Sequence, residues 1–272
     1  MTGSIERVLV PLDAAADAAT AIDTAARLAD GAGGRLHGFF VEDDDLMRLA
    51  GLPFAQEVIR GSGAEPFTLG RLKAQLRAAA ERARRDLAVA AGRRALPWSF
   101  DVVSGDAWPG IATERDIVVA GALTRPVGGH FRLGCRWVGS VEAVPGPFLL
   151  ARRRWGRGGA AAALLRDRGA SSARLVEAAL SVARARGDET LTLICAAALA
   201  GTPELDEWIA ERIGRGPVRV QVEARPGEPG ALQWRLRELD CRLLAIDAGA
   251  AEGGDRLRDV AERFACDLLI VR

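Results

Sequence analysis

Residues 8–13 read VLVPLD: a short, fully apolar run, Val8–Leu12, is followed directly by Asp13. A run of this kind is typical of a strand that is buried on both faces of a parallel sheet. Apolar residues at helical spacing follow over Asp17–Asp30, and a second apolar run follows over Arg35–Val41. The order strand, helix, strand predicts a right-handed crossover, so the sequence opens with a βαβ unit.

The alternation of helices and strands continues to about residue 151. We predict a long helix, a strand, a short helix and two further strands, in that order, at Leu69–Ala91, Trp98–Val103, Trp108–Thr113, Asp116–Ala120 and Phe148–Ala151. Five strands separated by helices and crossover connections indicate an α/β domain with a doubly wound parallel sheet.

The second half of the chain repeats this order. The predicted strands are Ala161–Leu165, Glu189–Cys195, Val218–Glu223, Cys241–Ile246 and Leu268–Val271, and the predicted helices are Ser172–Arg186, Pro203–Ile213, Ala231–Glu238 and Asp255–Phe264. A repeat of half the chain length indicates duplication of a whole domain. We therefore predict two domains, 1–152 and 159–272, and an exposed linker at Arg152–Gly159, which reads RRRWGRGG.

Composition limits the classes of function. Hydrophobic residues make up 49% of the 272 residues and charged residues 27%, which supports packed cores rather than disorder. The net charge of +1 argues against a nucleic-acid partner, whose phosphates are neutralised by an excess of cations. We find no secretory signal and no run of 18 apolar residues, and we interpret the four scattered cysteines as isolated, reduced thiols. These observations favour a cytoplasmic protein without a membrane partner.

Five segments of the chain resemble the universal stress protein family in its tandem two-domain form. They are VLVPLD, FFVED, EDDDLMRLAGLPFAQEV, DIVVAG and PFLLAR. The resemblance covers nearly the whole chain. It implies two tandem, doubly wound, parallel five-stranded sheets that pack as a pseudo-dimer within one chain, and it leaves open whether two chains form a homodimer. It also implies a stress-response or signalling module rather than a committed catalyst.

The resemblance further implies a site for ATP or another adenine nucleotide, with Mg²⁺ only where ATP is bound. Members that bind ATP hold the adenine beside the aspartate after the first strand and the backbone of the second, and hold the phosphates on a loop of the form G-x2-G-x9-G-[S/T]. The corresponding residues here are Pro11, Leu12, Asp13, Val41, Gly121, Thr124, Gly134 and Cys135.

The phosphate loop departs from the family's pattern. Thr124 stands where the second glycine is expected, and Cys135 stands in place of Ser or Thr. A rival register uses Gly129 and the pair Gly139–Ser140. The second half is too short between Asp247 and Cys266 to carry such a loop, so we expect a structural or dimerisation copy there, with Asp167 as a helix cap at the position of Asp13.

Two other functions stay open. The altered loop is compatible with a nucleotide-free scaffold that serves pairing and partner contact. Slow ATP hydrolysis or adenylyl transfer is less favoured, because no nucleophile and base are suggested by the pattern and the two histidines, His37 and His130, lack metal-ligand spacing. We interpret Asp43–Asp45 as a solvated loop rather than a Mg²⁺ site. The apolar segment Asp45–Ile59 is predicted to form a lid or an interface.

Overall fold

The computed structural model of the protein describes residues 5–12, 18–59, 63–104, 108–121, 143–152, 155, 159–213, 218–224, 230–251 and 266–272. The helices and strands given below lie within these ranges. The predicted helix Asp255–Phe264 falls outside them.

The N-terminal half contains seven of the described strands and three described α-helices. The strands are β1 (Arg7–Leu12), β2 (Arg35–Glu42), β3 (Gln56–Ile59), β4 (Gly63–Pro66), β5 (Trp98–Ser104), β6 (Asp116–Gly121) and β7 (Phe148–Ala151). The helices are α1 (Ala18–Ala32), α2 (Asp44–Ala50) and α3 (Leu69–Gly92), and a single 3₁₀ turn occupies Trp108–Ile111.

The C-terminal half contains five described strands and three described α-helices. The strands are β8 (Ala160–Leu165), β9 (Thr190–Cys195), β10 (Arg219–Ala224), β11 (Cys241–Asp247) and β12 (Asp267–Val271). The helices are α4 (Ala170–Arg186), α5 (Pro203–Ile213) and α6 (Ala231–Glu238). These bounds agree with the predicted elements to within two residues.

Ten of the described strands form one continuous sheet in the order β10-β9-β8-β11-β12-β7-β6-β1-β2-β5. All neighbours within each half are parallel, and the two halves meet at an antiparallel pairing of β7 with β12, in which Leu149 lies opposite Leu269. The predicted pair of five-stranded parallel halves in a pseudo-dimer is therefore confirmed. The sequence did not show that the two sheets share an edge, because an apolar run does not specify its neighbour.

The core lies on both faces of this sheet. On β1, Val8, Val10 and Leu12 belong to one buried cluster, while Leu9 belongs to the cluster on the opposite face. Alternation of side chains along a strand sends successive residues to opposite faces, so an uninterrupted apolar run is buried on both. The first cluster extends through both halves and includes the buried faces of α1 and α4.

The two halves also meet through a helix contact between α1 and α4. A Cβ built on Gly31, near the end of α1, would lie 2.6 Å from the Cα and 2.7 Å from the Cβ of Ala185 in α4. Ordinary contacts between carbon atoms are about 3.5–4.0 Å. Glycine at this position therefore permits the close approach of the helices, where a larger residue would separate them.

A buried polar cluster stabilises the junction at the start of β12. The carboxylate of Asp267 accepts hydrogen bonds from the indole Nε1 of Trp155 at 2.8 Å and from the backbone N–H of Arg152 at 2.7 Å. The Arg186 guanidinium lies 3.4 Å from the same carboxylate and 5.3 Å from the centre of the Trp155 ring. Trp155 is only 5% exposed. The expectation of an exposed linker is wrong at Trp155, which is a packing residue of the junction.

The segment between β2 and α3 contains structure that was not predicted. It forms the short helix α2 and an antiparallel hairpin of β3 and β4, in which Glu57 lies opposite Glu65. The domain boundaries 1–152 and 159–272 stay a prediction, and β7 ends and β8 begins on either side of the proposed linker.

Candidate functional site

The candidate site lies at the carboxyl edge of β1 and β6. Strand β1 pairs in parallel with both β2 and β6, so the chain leaves β1 towards one side of the sheet and reaches β6 on the other. Open α/β sheets bind ligands in the crevice that forms where the strand order reverses in this way. The reversal occurs at this position in the N-terminal half, and the equivalent position in the C-terminal half lies between β8 and β11.

Four of the eight predicted site residues lie within the described part of the chain, and three elements bring them to one edge. Pro11 and Leu12 are buried at the end of β1. Val41 is 2% exposed near the end of β2 and pairs with Val103. Gly121 ends β6 and lies opposite Ala151. This edge is apolar at the end of β1 and at Val41, where β2 then ends on Glu42, and it carries no side chain at the end of β6.

The other four predicted residues, Asp13, Thr124, Gly134 and Cys135, lie outside the described residues. The same holds for Gly129, Gly139 and Ser140 of the rival register. Their roles stay predictions.

The acidic run after β2 begins a helix and is not a solvated loop, which corrects our interpretation of the sequence. Asp43 is the N-cap of α2, and its side chain accepts a hydrogen bond from the backbone N–H of Leu46 at 3.0 Å. Asp44 accepts one from the hydroxyl of Ser104, at the end of β5, at 2.8 Å. An Asp at the N-cap accepts a hydrogen bond from a backbone N–H that has no partner within the helix. These contacts attach α2 to the carboxyl edge of the sheet.

An exposed apolar patch lies on and after α2. It consists of Leu49, Leu52, Phe54 and Leu69, of which Phe54 is the most exposed at 76%. Leu69, at the start of α3, has its Cδ1 within 3.8 Å of a Cβ built on Gly51, so the two ends of the segment approach each other. Because α2 follows β2 directly, the patch borders the same edge as the candidate site. The exposed patch is compatible with either a lid or an interface, so both stay predictions.

Register shows which residue of the C-terminal half occupies the position of Gly121. Leu9 pairs with Val118 in the N-terminal half, and Ala162 pairs with Leu244 in the C-terminal half. Leu9 and Ala162 each stand three residues before the leucine that ends the first strand of their half. Three residues beyond Val118 is Gly121, and three residues beyond Leu244 is Asp247. A carboxylate therefore stands in one half where glycine stands in the other.

The C-terminal half closes its own crevice with hydrogen bonds. Asp247 accepts from the backbone N–H of Gly249 at 2.7 Å and from the hydroxyl of Ser171 in α4. Asp167 accepts from the backbone N–H of Gly169 at 2.7 Å and from the hydroxyl of Ser172 at 2.9 Å. The bond from the Gly169 N–H, followed by that from Ser172, lowers the pKa of Asp167.

Asp167 thus accepts hydrogen bonds at the start of α4, where a helix cap was expected. Its backbone donor is the N–H of the N-cap residue Gly169 rather than an N–H of the first helical turn. Two carboxylates at this position oppose the binding of a phosphate. The sequence could have identified Asp247, because residues 243–247 (LLAID) align with residues 117–121 (IVVAG) when the two halves are compared.

Two neighbouring strands bring together a histidine, a serine and an aspartate that the sequence did not connect. The His37 Nδ1 lies 2.6 Å from the Ser99 hydroxyl, and the His37 Nε2 lies 3.6 Å from the Asp101 carboxylate. Burial lowers the pKa of His37, although Asp101 acts in the opposite direction. The 3.6 Å separation exceeds hydrogen-bond distance, and Asp101 is 65% exposed on the edge strand β5. The group is therefore not a catalytic triad.

A cavity of about 220 Å³ lies away from the predicted nucleotide edge, between the two halves. Its walls include Asp116 and Pro147 at the amino ends of β6 and β7, Arg174 on α4, and Arg272 after β12. Asp116 is already satisfied there by Arg7, whose Nε lies 2.9 Å away, and by the backbone N–H of Thr113.

None of the helices in the described part of the chain is long and apolar enough to cross a membrane. Within the same ranges, no three His, Cys, Asp or Glu side chains come together as a metal site.

Comparison with solved structures identifies the fold. A universal stress protein from Archaeoglobus fulgidus superposes with a TM-score of 0.68 at 14% identity, covering 98% of this chain and 96% of its own. A protein of unknown function from Pseudomonas aeruginosa superposes with a TM-score of 0.59 at 17% identity, covering 99% of this chain and 93% of its own. A putative universal stress protein from Pseudomonas aeruginosa superposes with a TM-score of 0.57 at 15% identity, covering 99% of this chain and 94% of its own.

No protein-family model matches the sequence. A comparison with curated proteins also finds no match. At identities of 14–17%, the structural likeness shows the fold. The chain therefore has the tandem universal stress protein fold that the resemblance implied, with both copies fused into one sheet.

Proposed function

We propose that this protein is a universal stress protein-like module of stress response or signalling, cytoplasmic, whose N-terminal half binds ATP or a related adenine nucleotide. The nucleotide lies at the carboxyl edge of β1, β2 and β6, beside Leu12, Val41 and Gly121. Mg²⁺ accompanies the nucleotide only where this is ATP. No chemical step is part of the proposal.

The difference between Gly121 and Asp247 carries this proposal. Both residues end the strand beside the crevice of their half, as their shared register position requires. Glycine allows a backbone to approach a phosphate closely, whereas a carboxylate fills the space and opposes the charge. The contrast supports one nucleotide site per chain, in the N-terminal half.

The side chains around the edge support an adenine rather than a charged group at β1 and β2. Pro11 and Leu12 are buried and apolar. Val41 is buried on β2, and the backbone of β2 runs beside β1. An apolar pocket with backbone hydrogen-bonding groups suits a planar heterocycle. The exposed patch of Leu49, Leu52, Phe54 and Leu69 borders this end and provides apolar surface to cover a bound base.

Isothermal titration calorimetry of the full chain with ATP tests the proposal. Gly121→Asp introduces in the N-terminal half the carboxylate that the C-terminal half carries. One added charge about 5 Å from a phosphate, at an effective dielectric constant of about 40, costs roughly 1.7 kcal/mol. We therefore expect ATP affinity to fall at least about tenfold.

Gly92→Asp is the matched control. It adds the same charge at the end of α3, at the opposite edge of the sheet, where nothing lies within 4 Å of a built Cβ. Its affinity for ATP should equal that of the unmodified protein. Thermal unfolding of both variants checks that they are folded. Equal binding by Gly121→Asp, or no heat of binding by the unmodified protein at millimolar ATP, refutes the proposal, and the second result favours the nucleotide-free scaffold.

A further inference from the structure

Cys241 and Cys266 come together at the amino ends of two neighbouring strands. Cys241 begins β11, and Cys266 directly precedes β12. The two strands are parallel neighbours, with Leu243 opposite Asp267, so the two cysteines are diagonal neighbours across the pair. They are 25 positions apart in the sequence, and their proximity arises from the fold.

An irregularity in β11 places both thiols on one face of the sheet. The pairing of β11 with β8 shifts register between Cys241 and Leu243. In a regular strand these two residues share a face. Here Leu243 belongs to one buried cluster, while Cys241 packs against the cluster on the other face, which contains Cys266. Bulges redirect side chains in this way.

The Cys241 thiol has one backbone partner and one neighbouring thiol. Its Sγ–H donates to the carbonyl oxygen of Leu243 at 3.1 Å, and Cys266 is its neighbour across the strand pair. The interaction with Cys241 lowers the pKa of Cys266. The pKa of Cys241 is correspondingly raised, first by its interaction with Cys266 and then by burial. Cys195, buried in β9, differs: burial alone raises the pKa of its thiol.

We propose that Cys241 and Cys266 are a reversible redox pair that a hydroperoxide oxidises to a disulfide. The Cys266 thiolate attacks one oxygen of hydrogen peroxide, the O–O bond breaks, and Cys266 becomes a sulfenic acid as water leaves after taking up a proton. The Cys241 sulfur then attacks the Cys266 sulfur and loses its proton, and the hydroxyl leaves as a second water. Two thiols and one peroxide give one disulfide and two waters. A dithiol reductant reverses the change.

The disulfide would act on the junction between the halves. It closes the loop from β11 to β12 directly beside Asp267, the carboxylate that holds Trp155 and Arg152. A cross-link over a loop of this size constrains the unfolded chain. We expect oxidation to raise the midpoint of thermal unfolding by roughly 5 °C.

The experiment treats the full chain with hydrogen peroxide, then counts thiols under denaturing conditions and maps disulfides by peptide mass spectrometry. The expected result is one Cys241–Cys266 disulfide, the loss of two thiols, a raised midpoint of unfolding and full reversal by dithiothreitol. In Cys241→Ser, Cys266 should stop at the sulfenic acid, which dimedone traps, with no rise in the midpoint.

Cys195→Ser is the control, and it should behave as the unmodified protein does. The proposal is overturned if the folded protein keeps both thiols under peroxide, or if Cys266 proceeds to sulfinic acid with Cys241 still present. It is equally overturned if either residue pairs instead with Cys135 or Cys195.

Discussion

The contact of Gly31 with Ala185 makes the packing of the two halves testable by one methyl group. In Gly31→Ala the new Cβ would lie 2.6–2.7 Å from Ala185, about 1 Å inside ordinary carbon contact. The atoms it meets are the Cα and Cβ of Ala185, which no rotamer change can move, so α1 and α4 must separate. Overpacking of this kind costs about 1–3 kcal/mol.

Helix propensity acts in the opposite direction and sets the net effect. Replacing glycine with alanine in a helix stabilises by up to about 1 kcal/mol. The expected result is a net loss of about 1–2 kcal/mol, or a fall of roughly 2–6 °C in the thermal midpoint for a chain of this size. Gly92→Ala is the control, because α3 ends there with nothing within 4 Å of the built Cβ, and it should be neutral or slightly stabilising. Urea denaturation of both variants measures the difference. If Gly31→Ala is as stable as Gly92→Ala, the helices do not meet as described.

Three further predictions concern buried polar groups. Trp155→Phe removes the indole donor from Asp267 and should lower the free energy of unfolding by about 1–3 kcal/mol, measured in urea. Arg7→Met removes the ion pair of the 1%-exposed Asp116 carboxylate, which keeps its two hydrogen bonds from Thr113, and should cost about 1–3 kcal/mol. Burial alone would raise the pKa of Asp116, but the hydrogen bonds from Arg7 and Thr113 lower it overall. The ionised Asp116 therefore stabilises the folded protein above the ordinary carboxylate pKa, and this stabilisation is lost as the pH falls below that value. Acid unfolding curves of Arg7→Met should therefore be flatter in that range; equal slopes would contradict the pairing. Burial lowers the pKa of His37, so the unfolded chain binds a proton at a higher pH than the folded protein does. The free energy of unfolding should therefore fall as the pH drops below about 6.5. His37→Gln should remove this fall when the free energy of unfolding is measured from pH 7.5 to 5.

The buried strands of both halves were predictable because each is an apolar run that the sheet covers on both faces. β7 and α5 have the bounds that the sequence indicated. The hairpin of β3 and β4 was not predictable from the same signal, since QEVI and GAEP are short and GAEP is partly polar. The fusion of the halves at β7 and β12 depends on which edges meet, and a run of apolar residues does not contain that information.

The candidate site was predictable only to the strand ends. Leu12, Val41 and Gly121 reach one edge because their strands are parallel and adjacent. The alignment of IVVAG with LLAID could have identified Asp247, but the hydrogen bonds by which Asp247 closes its crevice could not be predicted from the sequence. The placement of Cys241 and Cys266 on one face of the sheet was missed because it depends on an irregularity in β11, which the spacing of cysteines along the chain does not reveal.

The number of ATP molecules held by each chain tests the central claim most directly, namely that one half keeps a nucleotide crevice and the other has closed its own. Native mass spectrometry of the full chain titrated with ATP reports this number. We expect a single ATP per chain at saturation, and an occupancy several-fold lower in Gly121→Asp when the ATP concentration is near the dissociation constant of the unmodified protein. Two ATP molecules per chain at saturation, or equal occupancy in Gly121→Asp at the lower concentration, would contradict the account.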